Sequence, residues 1–433
     1  MSINRIKYLI VGIALLGNCA SGFAQEFWRN IFSEKELQDL IELALQHNTD
    51  LNVARLRIEQ AEATYKSARL ATLPSLAFSP SAGISSFGGS LADKTYSLPL
   101  QASWQADVFG KLKNAKLQQK MLVDGGQAYK QAVQVQTIAS IARLYYQCRS
   151  LRQQLNLARQ SVEVWNETVR AMKAFMEEGQ YTDAAVSQAE ASREAVKTTA
   201  LDLEQQIRES ENSIRQLIGD TLNDIRIMPM ATEDSDFSHQ IHLPTANGIP
   251  LQQLSHRPDV RQAELNLAAA VYATKEAKAA FYPSLTLSGT AGWTNSSGVI
   301  VNPGKVLLEA LASITQPIFQ NGRLKAELNI KKSQQEEASL QFRQTLLNAG
   351  IEINNALTQI QTYTNKSALL QNQVKALERT VNSTRLLQQN GSSNYLEVLT
   401  AQESLLSAQL SELQNLYNKT VALIVLYQAT TWE

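Results

Sequence analysis

Between Leu144 and Met176 the apolar positions fall at Leu144, Cys148, Leu151, Leu155, Ala158, Val162, Trp165, Val169, Met172 and Met176, in alternating steps of four and three. That spacing is the seam of a coiled coil. No proline follows Gly110 until Pro229, so one helix can fill the 69 residues from Gly110 to Gly179. At about 1.5 Å per residue it would reach roughly 100 Å, and so long a rod must pack along its length against another. A matching pattern recurs near the end of the chain at Leu396, Leu399, Leu406, Leu410, Leu413, Tyr417, Ile424 and Tyr427. The breaks at Glu178-Gly179-Gln180 and Asn390-Gly391-Ser392-Ser393 predict the turns of two helical hairpins.

The period then changes to two. Leu76, Phe78, Pro80, Ala82 and Ile84 alternate with Ala77, Ser79, Ser81, Gly83 and Ser85. Tyr96, Leu98, Leu100, Ala102, Trp104, Ala106 and Val108 alternate with Ser97, Gln101, Ser103, Gln105 and Asp107. A second pair places Leu285, Leu287, Ala291 and Trp293 opposite Ser284, Thr286, Ser288 and Thr294, followed by Val306, Leu308, Ala310, Ala312 and Ile314. These predict four strands, each with one apolar and one polar face.

The two strand pairs belong to two copies of one unit. DLNVARLRIEQAEATYKSARLATLPSL from Asp50 and DVRQAELNLAAAVYATKEAKAAFYPSL from Asp259 stay in step without a gap, 209 residues apart. FGKLK at Phe109 answers NGRLK at Asn321, and EEGQYTDAAVSQAE at Glu177 answers QQNGSSNYLEVLTAQE at Gln388, with Gly110 and Gly179 now 212 residues from Gly322 and Gly391. The expected organisation is a leader over 1–24, a first repeat over 25–219, a connector over 220–249 and a second repeat over 250–433. The strand pairs are expected near 75–109 and 284–319, and the hairpin turns near 179 and 391.

Strands of about ten residues with an apolar outside suit either a transmembrane barrel or a half-exposed soluble sheet. Four strands cannot close a barrel, and lipid cannot satisfy an open strand edge. If these strands lie in lipid, other copies of the chain must close the ring. Two copies give eight strands and a filled barrel, whereas three give twelve and room for a channel.

Composition narrows the choice. The 433 residues carry 40 basic and 40 acidic side chains, with no dense Lys/Arg stretch of the kind that binds nucleic acid. Arg5 and Lys7, the apolar run from Tyr8 to Leu16, and small residues at Gly22 and Ala24 read as a secretory leader cleaved after Ala24. Its removal leaves 38 basic against 40 acidic residues. A rival reading makes Cys19 an acylated first residue, with Leu16 three places before it and Asn18 where a small residue normally stands. With Cys19 gone, Cys148 is the remaining thiol, and its place on the seam predicts a buried core residue. Beyond the leader no run of 18 apolar residues spans a membrane as a helix, so any insertion must be by strands. His239 and His242, three apart near Asp234 and Asp236, read as a solvated connector loop rather than a metal site, and no catalytic constellation stands out. No cofactor is expected.

Together these features resemble the outer-membrane efflux proteins of the TolC superfamily, in the branch that serves RND-type pumps. The motifs in order are FWRNIFSEKELQDLIELALQHNTDLNVARLRIEQA, LSHRPDVRQAELNLAAA, AAFYPSLTLSG, QPIFQNGRL and the closing VALIVLYQATTWE. The resemblance implies a mainly α fold with a β-barrel: four strands per protomer in a twelve-strand homotrimeric barrel in outer-membrane lipid, continued by a coiled-coil periplasmic tunnel. The hairpin tips at Gly179, Gln180, Gly391 and Ser392 would meet a periplasmic adaptor and, through it, an inner-membrane transporter. Lipidated members of that branch usually have a longer stretch before the Trp motif than the nine residues from Cys19 to Trp28, which favours cleavage. The family narrows its periplasmic mouth just beyond the second hairpin, often on acidic side chains. In NYLEVLTAQ, Glu397 takes one such position and Thr400 stands where another acid is common, while Ala185 is the equivalent in the first hairpin. One ring of three glutamates would follow. The competing functions are a type I protein-secretion duct and an extracytoplasmic coiled-coil rod with a soluble strand cap.

Overall fold

The computed structural model describes residues 27–85, 93–219, 254–295, 305–389 and 395–430. Helices α1 (Phe27–Ile31), α2 (Lys35–His47) and α3 (Thr49–Leu70) precede strands β1 (Ser75–Phe78), β2 (Ser81–Ser85) and β3 (Asp93–Ala106). Helices α4 (Lys111–Glu177) and α5 (Asp183–Ile218) complete the first half. The second half contains α6 (Pro258–Ala279), β4 (Ser284–Asn295), β5 (Lys305–Thr315), α7 (Arg323–Gln389) and α8 (Tyr395–Thr430). Duplication is visible in the lengths: α3 and α6 have 22 residues each, α4 and α7 have 67, and α5 and α8 have 36.

The halves of the sequence are not the compact units of the fold. One unit takes Met1–Asn52, Gln131–Arg257 and Leu347–Glu433, and the other takes Val53–Lys130 and Pro258–Leu346. The reason lies in the strands: β3 of the first half pairs with β4 of the second, so neither half can satisfy its own sheet.

In the strand-bearing unit the antiparallel sheet runs β1-β3-β4-β5, with β2 also on β3. The expected first strand is broken in two at Ser79 and Pro80, because Pro80 has no N–H to give the ladder. Both pieces still pair with β3, so five strands occupy four positions. Register aligns Leu76 with Ala102, Leu100 with Ala291 and Ala291 with Leu308, which puts the alternating apolar positions expected from the sequence on one face. Gly292 stands opposite Pro99, and a Cβ there would run into the Leu98 carbonyl and the Pro99 backbone. At the end of the ladder Asn295 takes over from the backbone, its Oδ1 accepting from Tyr96 N–H at 2.6 Å and its Nδ2 donating to Lys94 O at 3.1 Å.

Helices enter and leave the sheet through built joints. The Asp107 carboxylate caps α4, accepting from the N–H groups of Leu112 at 3.1 Å and Lys113 at 2.7 Å. Phe109 stacks on Tyr282 with centroids 4.9 Å apart. Thr274 Oγ1 donates to the Lys331 carbonyl at 3.1 Å, tying α6 to α7.

In the other unit α2 is amphipathic, with Leu37, Ile41 and Ala44 fully buried at helical spacing. They pack with Trp28 and Phe32, with Ile141, Tyr146 and Cys148 of α4, with Ile214 of α5 and with Ile424 and Tyr427 of α8. Arg149 forms a buried ion pair with Glu34, and its guanidinium lies 5.6 Å from the Tyr145 ring. Asn48 joins three helix ends: its Oδ1 accepts from Leu51 N–H and its Nδ2 donates to Leu217 O. Gly219 closes α5 in the left-handed region at φ 74°, where an added Cβ would press on the His47 carbonyl.

The predicted seam is the packed one. Leu151, Leu155 and Ala158 meet Leu203 and Ile207, and Trp165, Val169 and Met172 meet Val186, Ala189, Val196, Leu399 and Leu406. Leu396, expected on the seam, is instead half exposed. Its neighbour Tyr395 turns inward to meet Tyr181, which carries Leu396 about 100° round the helix and away from the core.

Candidate functional site: an apolar strand face and a helical tip

The sheet presents a continuous apolar face. Leu76, Phe78, Leu98, Leu100, Trp104, Leu287, Trp293, Val306, Leu308 and Ile314 share it and are all exposed, Leu308 and Ile314 at 77% and 74%. Ser97, Gln101, Ser103, Ser284, Thr286, Ser288 and Thr290 stand on the opposite face; β5 adds Leu307 and Leu311 there. Among the described residues both outer edges of the sheet lack a partner strand. So large an apolar surface is a contact surface rather than a solvated one. No described helix is long and apolar enough to cross a membrane.

At the hairpin of α4 and α5, Gly179 adopts φ 77°. Its N–H reaches Met176 O and the Gln180 N–H reaches Phe175 O, both at 2.9 Å, a paired bond that ends α4 at a tight turn. Thr182 then caps α5, its side chain accepting from Ala185 N–H at 3.3 Å. Space around Gly179 is open, and Gln180 Nε2 donates to Glu178 Oε2 at 3.2 Å, so both stand at the exposed tip. Gly391, Ser392 and Cys19 lie outside the described residues, as do the connector histidines.

Glu397 and Thr400 are exposed on the first turns of α8. Ala185 is placed differently from the expectation. It is fully buried among Trp165, Met172, Val186 and Leu399, because the Thr182 cap sets α5 so that positions 185, 186 and 189 face inward. It therefore has no surface to offer a lumen.

The sequence also gave no warning of a set of polar links across the seam behind the tip. Ser192 Oγ donates to Glu403 Oε1 at 2.5 Å, and Gln402 Nε2 donates to Thr168 Oγ1 at 3.3 Å. Asn415 Nδ2 donates to Tyr363 O and Ser367 Oγ, joining α8 to α7. Lys173 pairs with Glu190 at 2.7 Å and holds that carboxyl below its usual range. Singly these residues look like solvated helix positions, and only a paired helix shows them as cross-links.

Arg257-Pro258-Asp259 has a structural role. Pro258 opens α6, Asp259 favours its positive end, and the buried Arg257 reaches Glu352 of α7 at 2.8 Å. Long helices with a strand pair in each half and an exposed apolar strand face are the architecture of the outer-membrane efflux channels. The chain belongs to the outer membrane efflux protein family, whose model matches residues 40–220 and again 249–431. It is an efflux exit channel of the outer membrane, in a family of transport proteins rather than enzymes. Over 418 residues it is 28% identical to the cation efflux system protein CusC of Escherichia coli O6:H1, covering 96% of this chain and 90% of that protein. It is also 28% identical over 416 residues to the toluene efflux pump outer membrane protein TtgF of Pseudomonas putida, covering 93% and 84%. A crystal structure of CusC superposes with a TM-score of 0.87 at 26% identity, covering 93% of this chain and 94% of that one.

Proposed function

We propose that three copies of this chain close a twelve-strand barrel in the outer membrane, continued into the periplasm by a tunnel of their helices. The complex would be the exit duct of a tripartite efflux system. The observation that carries this reading is the sheet, which among the described residues has two open edges and a continuous apolar face, since lipid tolerates neither edge unless further strands close the ring. Three copies are preferred to two because only the larger ring leaves room for a lumen.

The hairpin tips, Gly179 and Gln180 with Gly391 and Ser392, would meet a periplasmic adaptor coupled to an RND-type inner-membrane transporter. Glu397 would line the closed periplasmic mouth as a ring of three carboxylates, with Thr400 one turn further in. Equal identity to relatives named for cation efflux and for toluene efflux fits a duct whose cargo is chosen upstream, by the pump. Substrates would be small molecules or ions passed on from the adaptor.

Two measurements test this. Deleting the gene should sensitise cells to exported compounds while leaving protein secretion intact; loss of a secreted protein with unchanged tolerance would assign the duct to type I secretion instead. In a bilayer, Glu397→Ala should raise single-channel conductance or alter its response to cations, and no change in either would remove Glu397 from the mouth.

A further inference from the structure

Basic residues stand where the helices meet the sheet, and they do so in both halves of the chain. Lys66 and Arg69, near the end of α3, recur 209 residues later as Lys275 and Lys278, near the end of α6. Lys111 and Lys113, in the first turn of α4, recur 212 residues later as Arg323 and Lys325, in the first turn of α7. All are exposed. Further from the sheet recurrence is partial: Asp50 and Asp259, Lys120 and Lys332, and Asp124 and Glu336 keep their charge, whereas Arg55, Glu59 and Glu62 correspond to Glu264, Ala268 and Val271. In a chain with equal numbers of acidic and basic side chains, the joints spanning 66–75, 106–113, 275–284 and 315–325 contain just two acids, Asp107 and Glu276. Asp107 is occupied in capping α4.

Helix energetics do not explain the pattern. Arg69 and Lys278 suit the negative ends of their helices, but Lys111, Lys113, Arg323 and Lys325 sit at positive ends, where a cation is unfavourable. Neither α4 nor α7 has an acidic residue in its first turn, and the acids near α4 are the capping Asp107 and Glu276, whose carboxyl feels the Lys111 charge. Among the described residues none of the eight forms an ion pair. Their neighbours towards the sheet are exposed and apolar: Val108, Phe109, Tyr282, Ile318 and Phe319. From strand to helix the order is thus aliphatic face, aromatic rim, cationic collar, which matches acyl chain, interface and phosphate in a lipid monolayer.

We propose that this collar binds the anionic phosphate headgroups of phospholipids in the leaflet on the helix side of the barrel, giving the channel a preference for phosphatidylglycerol over zwitterionic lipid. The inference rests on the lipid-facing reading of the apolar strand face. Lysine and arginine stems can lie along the aromatic rim while their charges reach the phosphates. Each basic residue near an anionic surface contributes about fivefold in affinity, less with added salt.

The test uses the full-length protein in phosphatidylcholine vesicles containing brominated phosphatidylglycerol or brominated phosphatidylcholine. Trp104 and Trp293 lie on the apolar strand face and report contact with bromine. The wild type should favour the anionic lipid several-fold at low salt, and K111Q/K113Q/R323Q/K325Q should lose that preference while brominated phosphatidylcholine quenches it as before. The double variants K111Q/K113Q and R323Q/K325Q should each lose part, so the result does not hang on the folding of one protein. A preference unchanged in all three variants, or absent from the wild type, overturns the collar. So does a variant whose ion selectivity shifts while its lipid preference stays, since its side chains then face the lumen. Quenching by neither lipid would overturn the membrane-facing reading itself, and the collar with it.

Discussion

Leu100 and Gln101 are neighbours at the middle of β3 that face opposite sides of the sheet, and arginine should be tolerated at one and not at the other. Tyr96 and Trp104 stand four residues either side of Leu100 on its own face. At about 3.3 Å per residue and a tilt of about 40°, each ring lies roughly 10 Å along the membrane normal from Leu100. Leu100 therefore falls near the middle of an apolar band about 25 Å tall, where an arginine costs about 2–4 kcal/mol. That is roughly a 30- to 700-fold loss in the folding equilibrium. Gln101→Arg, on the polar face, should change stability by less than about 0.5 kcal/mol. Were the sheet a soluble cap, Leu100, already 48% exposed, would accept arginine as readily as Gln101 does. The assay is equilibrium unfolding in urea of protein folded into short-chain phosphatidylcholine vesicles, followed by tryptophan fluorescence. Two variants within about 0.5 kcal/mol of each other would refute the assignment of faces.

Three further outcomes follow from the helical unit. Leu151 is buried against Leu155, Leu203 and Ile207, so Leu151→Asp should weaken folding or assembly by several kcal/mol; normal oligomer yield and melting temperature would contradict the packing of the seam. Burial pushes the Cys148 thiol up to about 12, so a maleimide should label it at pH 8 only after unfolding, and rapid labelling of the folded protein would mean that the core opens. Burial also raises the Glu412 carboxyl, with Glu378 adding to the effect and Lys375 opposing it. A native pKa above the unfolded one means that the folded protein holds the extra proton, so this group's contribution falls as pH rises through the native pKa. Glu412→Gln should raise the melting temperature at pH 8, with the gain shrinking towards acid; a gain independent of pH would show that the charge is not its cause.

Much of this architecture was legible from two periods. Steps of four and three placed Leu151, Trp165 and Met172 in the core, and steps of two separated Leu98, Leu100 and Trp104 from Gln101 and Ser103. The repeat was legible because both copies keep the same joints, each with a proline before the strand. The pairing of β3 with β4 was not, since no local pattern sets register between strands so far apart in sequence. Pro80 kept the alternation of its neighbours while breaking their strand, a backbone effect that a count of apolar positions does not register. At the tip, Ala185 was placed at the mouth as the first-hairpin equivalent of the second hairpin's positions, and the Thr182 cap turns it into the core. Ser192, Glu403, Thr168 and Gln402 escaped notice because a polar residue on a long helix looks solvated until the helix beside it is placed.

The most direct test of the central claim is conductance across a planar lipid bilayer, using detergent-purified protein first sized for its oligomeric state. The account predicts a trimer that inserts and gives small, discrete conductance steps. A soluble oligomer that leaves the bilayer sealed would contradict it, and the strand face would then have to be covered by protein rather than by lipid.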